Sequence, residues 1–352
     1  MSPNPAIYVI NPGSTSTKLA VFIGDRLVQA KSIKHNITKG TSIWENYASR
    51  YQSIKRFFIE ASQNWSPDAI VGRGGLLKSV HGGTYAVNEA MLSDARNNFQ
   101  GEHASNLGCV FAHDLAGEFG VPAYIVDPIS TDEFEPIARL SGHPLIERRA
   151  LSHALSIHAV ARAGAKKIGK TFKSARVIVA HLGGGISIAP VQYGRIIDVN
   201  DASSAGPFSP DRTGSLPLQP FISLCYSGKY AETEIRKLVM GNGGLKAYLG
   251  TPDIEVIETR IAKGDRQALL VIQAMCYQIA KEIGAMATVL SGKVDCIALT
   301  GGMVNSLRVV RLIRQRVRWI APVFVFKGEH EMHALAEGAL RVLTGQEHLR
   351  TY

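Results

Sequence analysis

Cysteine is scarce in this chain of 352 residues, with only Cys109, Cys225, Cys276 and Cys296. They are isolated, so the sequence holds neither a disulfide framework nor a zinc-type pair, and reduced, buried thiols in a cytoplasmic protein are expected. No stretch approaches the about 18–20 consecutive apolar residues of a membrane-spanning helix. Met1 to Pro5 leads straight into an apolar strand, without the basic start and apolar core of a secretory leader, and none is expected. Acidic residues are outnumbered, 29 against 39 Lys and Arg. The excess is scattered, with no dense basic run and no basic strip interleaved with aromatics. This excludes an obvious nucleic-acid surface and favours anionic small molecules. With 45% hydrophobic and 19% charged residues the chain is not disordered, and its length fits two domains.

Two segments repeat one plan. Ala6 to Gly24 reads as an apolar strand, a turn rich in Gly, Ser and Thr, a second strand and a Gly turn. Arg176 to Gly194 reads the same way, at the constant offset of 170 residues that separates Asn11 from His181 and Gly13 from Gly183. A duplicated domain follows. Each copy opens with a hairpin whose glycine-bearing tip exposes backbone N–H groups, a concavity suited to phosphate. Two such tips imply a nucleotide held by two lobes.

The remaining pattern alternates strands and helices. Strands are expected at 26–32, 69–72, 121–127, 294–299 and 322–326. Helices are expected at 42–64, 104–119, 145–163, 216–240, 252–263, 267–290 and 331–343. This order gives an α/β protein with mixed sheets covered by helices. The turn cluster Arg139 to Pro144 is the best candidate boundary and hinge. The expected division is an N-terminal lobe over 1–144, a nucleotide-binding lobe over 145–332, and a closing helix at about 333–352 that returns to the first lobe.

Several motifs carry chemistry. Asn11, Gly13, Ser14, Ser16 and Lys18 form a hydroxyl-rich phosphate turn. Further along come Val71-Gly-Arg73-Gly-Gly, Gly101-Glu-His103, Asp201 to Phe208, Pro210-Asp-Arg212-Thr-Gly214, Leu299-Thr-Gly301-Gly302-Met-Val-Asn305 and Glu329-His-Glu331 to Leu340. Together and in this order they resemble the acyl kinases of the acetokinase family, the butyrate-kinase branch more than the acetate-kinase branch, across essentially the whole chain. That family belongs with sugar kinases, heat-shock 70 proteins and actin. The resemblance implies a duplicated ribonuclease-H-like (actin-like ATPase) fold. It also implies reversible phosphoryl transfer from ATP to a short-chain carboxylate, with Mg²⁺ as the metal and a homo-oligomeric assembly.

The same resemblance assigns residues. Arg73 and Arg212 would hold the substrate carboxylate and the transferring phosphoryl oxygens, since a guanidinium matches both bidentately. His153 would donate to the phosphoryl oxygens, and His103 would lie in the substrate region. Asp127 would orient Mg²⁺ or a water, with Asn11 and Glu331 as further metal-side groups and Glu329 as the alternate to Glu331. Asn11, Gly13, Ser14, Ser16, Lys18, His181, Gly183, Gly184, Gly185, Asp253, Gly301, Gly302 and Asn305 would contact the nucleotide. Gly184 stands where acetate kinases carry asparagine, and Glu255 where the family usually carries arginine. His330 and His333 are too close for a zinc-protease motif, which needs i and i+4. Two other readings compete: a chaperone- or actin-like ATPase, which would need a partner-binding segment, and a sugar kinase, which would need an aspartate base for a hydroxyl.

Overall fold

The computed structural model describes residues 4–36, 41–328 and 330–352. Its strands are β1 (Ala6–Pro12), β2 (Ser16–Ile23), β3 (Arg26–Lys34), β4 (Ala69–Arg73), β5 (Thr84–Ala86), β6 (Ala123–Val126), β7 (Arg176–Leu182), β8 (Ile186–Gln192), β9 (Arg195–Ile196), β10 (Cys296–Thr300) and β11 (Val323–Val325). The helices are α1 (Tyr47–Ser62), α2 (Glu89–Arg96), α3 (Asn106–Phe119), α4 (Pro136–Arg139), α5 (Ala154–Lys167), α6 (Leu218–Cys225), α7 (Glu232–Val239), α8 (Gly244–Leu249), α9 (Ile254–Ala262), α10 (Arg266–Val289), α11 (Leu307–Val317) and α12 (Glu331–Leu343).

Two compact units result. The first comprises Met1–Asp132, Ala154–Ser156 and His330–Tyr352; the second comprises Glu133–His153 and Ile157–Glu329. The first unit holds a six-stranded sheet in the order β3-β2-β1-β4-β6-β5, the second a five-stranded sheet in the order β11-β10-β7-β8-β9. In each, the first strand of an antiparallel three-strand meander (β1-β2-β3, β7-β8-β9) is flanked by a parallel strand (β4, β10), which pairs in turn with another parallel strand (β6, β11). The offset of 170 residues carries β1 onto β7 end for end. The repeat seen in the sequence is therefore a repeat of topology.

In the first unit the period of two along a strand sorts the faces. Tyr8 and Ile10 of β1 join Leu19, Val21 and Ile70 in a core closed by Ile54, Phe57 and Phe58 of α1 and Leu107, Phe111 and Leu115 of α3. The opposite face is covered by α12, which packs on β1, β4 and β6. In the second unit α10 buries Ile272, Met275, Ile279 and Ile283 at helical spacing, against β7 and β8. The four cysteines are free, with Cys109, Cys276 and Cys296 buried; burial pushes the Cys109 thiol up to about 12. Among the described residues no helix is long and apolar enough to cross a membrane.

Two expectations differ from the structure. The units divide between Asp132 and Glu133, not near 144. Glu133 accepts the Ile196 N–H at 2.7 Å and bonds His158 at 3.1 Å, and the Glu135 N–H reaches the Ile197 carbonyl, so this segment belongs to the second sheet. The helix expected from 145 begins only at Ala154. The Arg148 guanidinium donates to the Ala138 carbonyl and to Asp198, and Arg149 pairs with Asp201. These fixed partners hold 145–153 irregular against its helical periodicity.

The backbones of β4 and α3 approach each other closely. A Cβ on Gly108 would stand 2.1 Å from the Arg73 carbonyl oxygen, and one on Gly72 would stand 2.0 Å from the Gly108 oxygen. Gly117, on the same helix, has nothing within 4 Å of such a Cβ. Gly108→Ala is therefore expected to cost about 3 kcal/mol by overpacking. Gly117→Ala should stabilise by about 0.5–1 kcal/mol through helix propensity. Urea unfolding of the two variants checks the pair, and equal effects would contradict this packing.

Candidate active site

In the first unit, β1, β4 and β6 run parallel, and their C-terminal ends carry Asn11, Arg73 and Asp127. The carboxyl ends of parallel strands are where α/β sheets bind ligands. Asn11 and Arg73 both meet the first residue of α12. The Asn11 side-chain amide donates to Glu331 Oε2 at 2.8 Å, and the Arg73 guanidinium forms an ion pair with Glu331 Oε1. Glu331 also sits in the first turn of its helix, where the dipole favours a negative charge. Glu329 lies outside the described residues. His333, on the same helix, meets the Phe22 ring edge-on.

His103 lies within electrostatic reach of Arg73. Burial first, and then the Arg73 charge, hold its pKa below the usual histidine range, so it is neutral at neutral pH. Its Nδ1 accepts the Ser105 N–H at 3.1 Å, which leaves the ring proton on Nε2. Asp127 is buried, adopts a left-handed φ of 40°, and accepts the Gly83 N–H at 2.7 Å. A non-glycine residue held in that region marks local strain of the kind found at functional sites.

The β1–β2 turn carries Gly13, Ser14 and Ser16. Gly13 donates its N–H to the Ser16 carbonyl at 2.7 Å, and Ser14 is exposed at the tip. Lys18 pairs across the hairpin with Asn11. Sequence reasoning missed the residue that fixes this turn. Arg50 of α1 is 1% exposed and donates to the Gly13 carbonyl at 2.9 Å and the Ser14 carbonyl at 2.7 Å. Turning those carbonyls inward toward one guanidinium sets the turn's conformation. An arginine amid the apolar residues of a helix is the signal that was available.

In the second unit, His181 is the penultimate residue of β7 and Gly183 to Gly185 form the turn that follows, with the Gly183 N–H donating to the Gly185 carbonyl at 3.1 Å. His153 and His181 stack with ring centroids 4.0 Å apart, and His153 Nδ1 bonds the fully buried Ser187 hydroxyl at 2.9 Å. Arg212 is brought against the same turn, since a Cβ on Gly185 would lie 2.5 Å from its guanidinium. Its NH1 also donates to the Ala202 carbonyl at 3.0 Å. His153, His181, Arg212 and the glycine turn thus form one cluster.

Next to that turn lies a cleft of about 850 Å³ lined by Gly183, Gly184, Asp253, Gly302 and Asn305, among others. Asp253 is also the N-cap of α9, accepting the Glu255 and Val256 N–H groups. Gly301 has a φ of 91° and begins the turn after β10. Glu255 and Glu258 line the cleft too; only Glu255 stood out in the sequence. Among the described residues no three His, Cys, Asp or Glu groups are gathered as a metal cage.

A model of the acetokinase family matches residues 141–343. A probable butyrate kinase of Listeria innocua is 44% identical over 351 residues, covering 98% of this chain and 99% of the relative. The chain belongs to the acetokinase family. Butyrate kinase 2 of Clostridium acetobutylicum is 46% identical over the same shares. The crystal structure of Porphyromonas gingivalis acetate kinase superposes with a TM-score of 0.77 at 16% identity, covering 96% of this chain and 100% of that one. The acetokinase-family fold is thus the two-unit α/β, actin-like ATPase architecture described above.

The shift of His103 yields a direct test. Nuclear magnetic resonance titration should place its pKa below 6.5, and Arg73→Gln should move it upward, leaving the part due to burial. An unmoved value in that variant would contradict the proximity of the two groups.

Proposed function

We propose that this acetokinase-family protein phosphorylates a short-chain fatty acid, with butanoate and ATP in reversible exchange with butanoyl phosphate and ADP. The observation that carries the reading is the 44–46% identity, across nearly the whole chain, to two proteins named as butyrate kinases. The arginines supply its chemistry. A carboxylate and a terminal phosphate are both anionic, so the barrier is their repulsion, and positioned cations dominate catalysis.

In the forward direction a carboxylate oxygen bonds to the γ-phosphorus while the bridging oxygen leaves with the bonding pair on ADP. A carboxylic acid ionises well below neutral pH, so the acid is already a carboxylate and no general base is required. Arg73 neutralises the carboxylate, its orientation fixed by Glu331. Arg212, against the glycine turn, neutralises the phosphoryl oxygens. His153, held by Ser187, adds a hydrogen bond to them, and His103 offers its Nε2–H to the acid. The cleft at Gly183, Gly184, Asp253, Gly302 and Asn305 takes the nucleoside end of ATP.

Mg²⁺ binds one or two carboxylates together with substrate phosphates and waters, not an all-protein cage. Two carboxylates of the first unit, buried Asp127 after β6 and Glu331, which is bonded to Asn11, are of that donor type and fit it through waters. When bound, the ion neutralises charge on the phosphates. These residues would hold its hydration shell.

Acyl phosphate trapped as hydroxamate tests the reading. Arg73→Ala and Arg212→Ala should each lower kcat/KM by about 10³-fold. Across a series of straight and branched acids the optimum should fall at butanoate, with neighbours in the series within about 10–200-fold, because one methylene discriminates weakly. Full activity in either variant would overturn the roles of the arginines, and an optimum at acetate would overturn the acid.

A further inference from the structure

The second half carries a concentration of charge that the reaction above does not use. From Cys296 to Gly328 there are five arginines and one lysine and no acidic residue. Four of the arginines, Arg308, Arg311, Arg314 and Arg318, line a cleft of about 880 Å³ along α11. Their spacing puts them on one side of the helix, while Val309, Val310, Ile313 and Val317 face the core. Arg316 is different, with its guanidinium over the Tyr277 ring.

Helix physics disfavours this arrangement. Like charges at i, i+3 and i+4 repel, and Arg308 stands in the first turn, where the dipole opposes a cation. One carboxylate lines the cleft, Glu258, and it is already engaged: it accepts from Ser306 Oγ at 2.6 Å and from Arg308 Nε at 3.0 Å. Arg314 is steadied by the Val323 carbonyl at 3.2 Å. Arg311, Arg314 and Arg318 present exposed guanidinium groups to the concavity. Planar guanidinium groups in a row match adjacent phosphoryl groups, each of which can accept two parallel hydrogen bonds.

Glu258 and Ser306 also line the cleft at the glycine turns. Ser306 caps α11 by accepting the Val309 N–H at 3.1 Å and follows Asn305 directly. The arginine cleft is thus separated from the nucleotide cleft by one wall, built from Glu258 and Ser306. We propose that it is a second anion site, which takes a small ligand bearing two or more adjacent phosphoryl groups. A ligand there competes with Glu258 for Arg308 and so acts on the wall of the nucleotide cleft. This inference is independent of which acid is phosphorylated.

Inorganic tripolyphosphate is the probe. It is titrated calorimetrically into the full chain, first alone and then with a non-hydrolysable ATP analogue at saturation and free Mg²⁺ held constant. One tripolyphosphate per chain should bind with the nucleotide cleft filled, and more weakly as salt is raised. In the triple variant Arg311→Gln/Arg314→Gln/Arg318→Gln its Kd should rise by about tenfold or more, with kinase activity retained. Arg311→Glu alone, on an exposed helix position, should weaken binding in the same sense and serves if the triple variant fails to fold. Absence of tripolyphosphate binding once the analogue is bound would overturn the proposal, as would an unchanged Kd in the variants. Loss in the variants of binding to phosphatidylglycerol vesicles alone would overturn it in favour of a lipid surface. If the analogue itself does not bind, the nucleotide reading fails, and titration of the otherwise empty chain and its variants still decides this site.

Discussion

One carboxylate organises the first unit's chemistry. Glu331 receives the Asn11 amide from the end of β1 and the Arg73 guanidinium from the end of β4, at the first turn of α12. A residue more than 250 positions away in sequence is thereby joined to two adjacent strands of one sheet. The pair is partly buried, with side chains 14% and 22% exposed, so it is screened less than a surface ion pair. It is also completed by a hydrogen bond and a helix dipole, the conditions under which a desolvated pair holds a definite geometry. Under the function proposed above, a guanidinium fixed in this way is preorganised for the anionic substrate and needs little reorganisation when charge develops.

The second unit reaches a comparable end by other means. There the glycine turn after β7 makes room for Arg212, and stacked His153 and His181 stand beside it. The same strand plan thus yields two different clusters. At the tip of the first hairpin the backbone is fixed from below by Arg50, whereas in the second the turn is fixed by its own hydrogen bond and by Ser209, which donates to the Gly184 carbonyl at 2.5 Å. Duplication set the topology, and the side chains at the strand ends diverged into an acid-binding and a phosphate-binding set under the function proposed above.

Much of this was legible in the sequence, for physical reasons. The apolar runs of β1 and β7 are buried on both faces and read as continuous hydrophobic strands, and the glycine turns after them are marked by composition alone. The closing helix was visible with its limits at Glu331 and Leu343 because its periodicity is uninterrupted. What could not be read depends on distant partners. Residues 145–153 have a helical pattern, yet Arg148 and Arg149 are drawn to Asp198 and Asp201. The short strand β5 and helices α2 and α8 lie between Gly-rich turns and carry too few residues for a period to emerge. No motif in the sequence singled out Arg50, and its burial under the β1–β2 turn reveals its use. Asp253 looked like a nucleotide ligand and proves to cap α9 while lining the cleft.

The central claim is that Glu331 acts through Arg73. A double-mutant cycle on kcat/KM for the carboxylate substrate measures it most directly, using Arg73→Gln, Glu331→Gln and the two combined. The account predicts a coupling energy of about 1 kcal/mol or more, with Glu331→Gln costing less in the absence of Arg73 than in its presence. Additive effects of the two substitutions would contradict it.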